Sequence, residues 1–159
     1  MLRALVQLTK PGVLFGNALS AAAGYLFASQ GNVDIFGFLW LALGTTLVIA
    51  SACVLNNYLD QDIDARMSRT KKRAEWIKTV GPRNTIIFAA LLGIVGFAIL
   101  IAYSNWLVVL VEVIGYIAYV VLYGMWAKRT SVHGTLVGSV SGAAPILAGY
   151  VGVTGVFDM

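Results

Sequence analysis

Five apolar runs dictate what this chain can fold into. They cover roughly residues 13–28, 36–55, 85–103, 106–126 and 134–153. Each comes close to the about 20 residues that a helix needs to cross a hydrocarbon core. With no water there to bond the backbone, helices are the way to satisfy it within a single run. Charged residues make up 11% of the sequence, against about 25% in soluble domains. The expectation is an all-α, polytopic membrane bundle of about five transmembrane helices, forming a single membrane domain over residues 1–159.

Orientation follows from the cations. All 11 Lys and Arg residues lie before the first run, between the second and third, or between the fourth and fifth. The positive-inside rule then puts the N-terminus and the Asp-rich, basic loop at 60–83 in the cytoplasm, and the C-terminus outside. The net charge of +4 reflects this topology and an affinity for anionic headgroups; no nucleic-acid partner is expected. Cys53, the one cysteine, has no partner for an intramolecular disulfide and reads as a small buried residue. The N-terminus lacks a small-x-small cleavage pattern, so the first run is expected to be retained as a span.

Small residues mark where helices should touch. The first run is rich in Gly, Ala and Ser, and Gly134, Gly138 and Gly142 share one helical face of the fifth. Both are close-packing patterns in lipid. Pro145 is expected to kink the fifth helix.

The strongly charged stretch is 56–73, NNYLDQDIDARMSRTKKR. Asp60, Asp62 and Asp64 come first; Arg66, Arg69, Lys71, Lys72 and Arg73 follow. If the second helix continues to residue 64, Asn56, Asp60 and Asp64 fall on one face at i, i+4 and i+8. Like charges so placed repel, and a bound hard cation offsets the repulsion. Oxygen donors without His or Cys suit Mg²⁺ or Ca²⁺, and Mg²⁺ commonly shares its shell with substrate phosphates. An EF-hand fails, because Ala65 stands where the loop needs Gly and Lys71 where it needs Glu. The pattern alone leaves two readings open: a metal–diphosphate site, or a solvated loop that sets topology.

Other polar and aromatic residues carry similar alternatives. Tyr116, Tyr119 and Tyr123 at i, i+3 and i+7 are either a cavity wall or ordinary packing aromatics. Glu112, in mid-span, is either a functional acid or a protonated packing group. His133, the lone histidine, reads as an interfacial polar residue rather than a heme ligand.

The charged stretch resembles the first aspartate-rich motif, Asn-x-x-x-Asp-x-x-x-Asp, of the UbiA-type intramembrane prenyltransferases, and most of all their heme o synthase (protoheme IX farnesyltransferase) branch. Asn56-Asn57-Tyr58, the Asp60-x-Asp62-Ile63-Asp64 wording and the Arg69-Thr70-x-x-Arg73 that follows are similar to that branch. So are Thr9-Lys10-Pro11-Gly12 with Phe15-Gly16-Asn17, Lys128-Arg129 with Ser131-Val132 and Gly134-Thr135-Leu136, and Ser141-Gly142-Ala143-Ala144-Pro145. The resemblance implies a Mg-dependent enzyme of the bacterial inner membrane. It would move a farnesyl group from farnesyl diphosphate to a vinyl group of heme b, giving heme o. It implies Asp60 and Asp64 as catalytic residues, Asp60, Asp62 and Asp64 as Mg ligands, and Asn56, Lys10, Arg69 and Arg73 as diphosphate-binding groups.

The chain departs from that family in three places. It holds no second aspartate-rich cluster: the other acids, Asp34, Glu75, Glu112 and Asp158, are scattered. A half-length chain would need self-association or a second-half partner. After Arg73, Ala74-Glu75-Trp76-Ile77-Lys78 replaces the family's small residues and Gly, and Pro145-Ile146 replaces a pair of prolines. The alternatives are a non-catalytic membrane protein that binds Mg²⁺ or anionic lipid, a transport subunit using Glu112, or a prenyltransferase with an aromatic quinone-precursor acceptor.

Overall fold

The computed structural model describes residues 1–130 and 133–157. Ser131 and Val132 of the motif after Lys128, and Asp158 among the scattered acids, lie outside the described residues. The described residues are helical, without strands. A short helix α1 (Leu2–Leu8) leads into α2 (Pro11–Ser29) and α3 (Ile35–Leu59). Two short helices follow, α4 (Gln61–Asp64) and α5 (Lys71–Val80), then α6 (Pro82–Tyr103), α7 (Trp106–Thr130) and α8 (Gly134–Thr154). α2, α3, α6, α7 and α8 are long and apolar enough to cross a membrane.

Local chemistry sets the helix ends. Pro11 and Pro82 open α2 and α6, where a missing N–H costs nothing. Asp34 Oδ1 accepts the Phe36 N–H and caps α3. Asn105 Oδ1 accepts the Leu107 and Val108 N–H groups and caps α7, while its Nδ2 donates to the Val151 carbonyl and ties α7 to α8. α8 runs through Pro145 without a break and ends at Gly155, whose φ of +68° suits glycine.

The broadest helix pairings are α3 with α6 and α2 with α8. In the second, Gly24 lies against the Ile146 carbonyl and Gly149 against the Ala21 carbonyl, so tightly that neither has room for a Cβ. These close approaches bear out the small-residue pattern of the first run. Gly142 differs from expectation: nothing approaches the place its Cβ would occupy, because this part of the glycine face looks into a cavity.

The stretch 60–83 is not a loop throughout. Ala74, Ile77 and Val80 form a buried edge on α5, and Ile77 and Val80 join Leu8 of α1, Val54 of α3 and Ala89 of α6 in one apolar cluster. Their threefold spacing is the period of an amphipathic helix. α1 and α5 thus close one end of the bundle. α3 also differs from expectation, ending at Leu59 rather than running unbroken to residue 64. The hitch at Asp60 is mild. Asp60 N–H still donates to the Asn56 carbonyl (3.0 Å) and Asp64 N–H to the Asp60 carbonyl (2.8 Å), so the register of Asn56, Asp60 and Asp64 survives.

Candidate active site

The site forms at the end of the bundle closed by α1 and α5. Lys10 stands at the N-terminus of α2 with φ +56° and ψ +70°, a left-handed conformation that costs a β-carbon residue about 1–3 kcal/mol. The strain aims its side chain inward. Nζ donates to Asn56 Oδ1 (2.8 Å) and to the Tyr119 hydroxyl (3.2 Å), and lies 5.8 Å from the Tyr119 ring centre. Burial, reinforced by Arg73 and Lys128, holds the Lys10 pKa below its ordinary value. An ammonium desolvated in this way favours an anion beside it.

Asp60 and Asp64 are both buried. Asp60 Oδ2 accepts a hydrogen bond from Lys128 Nζ at 2.5 Å, while its Oδ1 has no partner. Asp64 Oδ2 lies 4.0 Å from Arg73 and accepts no hydrogen bond. Asn56 Nδ2 is likewise buried and unpaired. Buried polar atoms normally find partners, so three unpaired atoms along one helical register indicate a ligand-binding surface. Two carboxylates with a free oxygen each suit a hard divalent ion, and Mg²⁺ commonly uses one or two such groups. Among the described residues no group of three or more His, Cys, Asp or Glu could share a metal.

Asp62 departs from its expected place beside the other two acids. It is exposed, and both its oxygens are taken by Arg129: Nη1 donates to Oδ2 (3.0 Å) and Nη2 to Oδ1 (2.8 Å). Nη2 also donates to the Leu59 carbonyl (2.7 Å). The clamp ties the end of α7 to the end of α3 and holds the Asp62 pKa down at about 2. The pair stabilises the fold fully above the ordinary carboxylate pKa of about 3.9. That contribution fades as the pH falls from there through about 2. Replacing Arg129 by glutamine is expected to return the Asp62 titration to about 3.9, read by carboxyl ¹³C NMR. Titration still near 2 would show that backbone N–H groups, not Arg129, hold the charge.

The polar cavity, of about 560 Å³, is lined by Lys10, Arg69, Arg73 and Lys128 together with Asn56 and Asp64. Asp60 reaches it through Lys128. A second, mainly apolar cavity of about 200 Å³ runs between α2, α3, α7 and α8. Tyr119 and Gly138 line both. Tyr116 lines the apolar cavity and Tyr123 the polar one, so the three tyrosines form a wall along the two.

From the sequence, Lys128 reads only as a basic residue at the end of the fourth run, within a family-like motif; the structure places it in the site. At 3.6 residues per turn, nine residues rotate through two and a half turns, which would put Lys128 opposite Tyr119. Instead α7 widens into a π-helix over Ala118–Ala127. With i→i+5 bonding each turn takes up more residues, and Tyr119, Tyr123 and Lys128 stack on one face. The two tyrosine rings lie 5.9 Å apart and nearly parallel, and Lys128 Nζ is 5.9 Å from the Tyr123 ring centre. The intervals of four and five between Tyr119, Tyr123 and Lys128 were the available signal.

Comparison with known proteins accords with this geometry. The model of the UbiA prenyltransferase family matches residues 17–159. Similar proteins include the protoheme IX farnesyltransferase of Acinetobacter baumannii, 48% identical over 159 residues, which are 100% of this chain and 54% of the relative. Protoheme IX farnesyltransferase 2 of Pseudomonas fluorescens is 49% identical over 158 residues, 99% of this chain and 54% of the relative. The Klebsiella pneumoniae protoheme IX farnesyltransferase is 48% identical with the same coverage. The chain thus spans about half the length of the curated relatives it matches. No solved structure matches. With five apolar helices of spanning length, the chain is an integral membrane protein.

Proposed function

The chain belongs to the UbiA prenyltransferase family, and from that premise we propose that it supplies the diphosphate-binding half of a heme o synthase. The reaction moves a farnesyl group from farnesyl diphosphate to a vinyl group of heme b. The donor and acceptor follow from the activity in the relatives' names. The observation that carries the reading is the junction at Tyr119 and Gly138, where a cation-rich cavity meets an apolar one. An allylic diphosphate has the same two parts.

In this reading Lys10, Arg69, Arg73 and Lys128 hold the diphosphate. When the allylic C–O bond breaks, its electron pair leaves on the diphosphate, and these fixed cations stabilise the added charge. Asp60 and Asp64, with Asn56 beside them, would hold Mg²⁺, which neutralises phosphate oxygens when bound. The apolar wall keeps water from the prenyl cation, and the Tyr119 ring offers it a negative face. We assign the site to the cytoplasmic side of a bacterial inner membrane, because every cation sits on that side of the spans.

Farnesyl diphosphate titrated into the purified chain in lipid nanodiscs tests the proposal. Binding should require Mg²⁺, and Arg73→Ala should weaken it by about tenfold, the loss of one charge-assisted contact. Farnesol binding as tightly as the diphosphate, or indifference to Mg²⁺, would overturn it.

A further inference from the structure

Four helices line the apolar cavity, and on α3, α7 and α8 the lining residues farthest from the polar end are Val48, Glu112 and Pro145. From Asn56 at the polar end to Val48 is eight residues of helix, about 12 Å. Glu112 is the unexpected member of this floor. It is 2% exposed, and its Oε1 has no hydrogen-bond partner. Thr45, one turn beyond Val48 on α3, is the polar neighbour of this carboxyl.

Hydrocarbon can give a carboxyl no hydrogen bond. A chain that stops short of the floor leaves space for water to reach Glu112, whereas a chain pressed against it leaves the carboxyl unsatisfied. The penalty therefore falls only on ligands long enough to touch it. We propose that Glu112 is a specificity-determining residue that sets the longest prenyl chain the cavity accepts. This inference rests on the prenyl-diphosphate reading above. It deepens that reading by assigning the length limit to a polar floor rather than to a steric stop.

The test is competition binding of geranyl, farnesyl and geranylgeranyl diphosphate, with Mg²⁺, to the chain in nanodiscs. Glu112→Leu removes the polar group at similar volume, and Glu112→Gln keeps a polar group there. The wild type should bind the geranylgeranyl chain about tenfold more weakly than the farnesyl chain, the cost of one stranded buried polar group. Glu112→Leu should abolish that difference and Glu112→Gln should keep most of it. Geranyl diphosphate, too short to reach the floor, should bind all three proteins alike, which also reports that the variants are folded. An unchanged ranking in Glu112→Leu overturns the inference. So does a shift of the same size for all three chains, since that would be a general repacking. A wild type that binds none of the three would instead sink the prenyl-diphosphate reading, and the length rule with it.

Discussion

Asp64→Ala is expected to weaken Mg²⁺-dependent binding of farnesyl diphosphate by on the order of 100-fold, because it removes one of two carboxylates able to hold the ion. Asp60→Ala should behave differently. Asp60 has two roles: Oδ1 is free for a cation, while Oδ2 is occupied by Lys128. Removing the side chain takes away a metal ligand and also releases an ammonium into the polar cavity. Mg²⁺-dependence should therefore vanish, but weak Mg²⁺-independent binding should remain, screened by salt. The Asp60→Ala, Lys128→Met double variant should lose that residue of affinity. Isothermal titration with and without Mg²⁺ separates these cases. Identical isotherms for the two single variants would mean that Lys128 does not meet the diphosphate.

Gly149→Leu should cost the largest share of stability. The Cβ position at Gly149 overlaps the Ala21 carbonyl and comes within 2.8 Å of the Tyr25 amide nitrogen, and Gly24 faces the Ile146 carbonyl in the same way. Overpacking ordinarily costs about 1–3 kcal/mol when side chains can yield. Here the obstacle is backbone on a packed helix, so the expected loss exceeds about 3 kcal/mol. The substitution should separate α2 from α8, which together carry Lys10 and half of the apolar cavity. Gly142→Ala is the control: with open space at its Cβ, it should be neutral or gain up to about 1 kcal/mol of helix propensity. Thermal unfolding in detergent distinguishes the two, and equal midpoints would refute the close helix contact.

Much of this was legible in the sequence. Span length alone gave the five crossings, and the spacing of Asn56, Asp60 and Asp64 gave a register that outlasted the break at Asp60. Three features were hidden for physical reasons. Asp62 sits two residues from each of its neighbours, so on a helix it points elsewhere, and only the fold reveals Arg129 as its partner. α5 was masked by its many cations, though Ala74, Ile77 and Val80 kept a helical beat beneath them. Lys128 was hidden because a reading at 3.6 residues per turn cannot anticipate a stretch that winds more slowly. The cavity lined by Tyr116 and Tyr119 could be tied to no motif, since aromatics at helical spacing serve lipid contact equally well.

The slow winding of α7 also alters its length. Twenty-five residues of ordinary helix would measure about 37 Å, against a hydrocarbon slab of about 30 Å. Wider turns rise less per residue, so the Ala118–Ala127 segment shortens the crossing without giving up a side chain. α7 can therefore meet the bilayer thickness with less tilt than its residue count implies, and the spare residues are stored as girth beside the tyrosine wall.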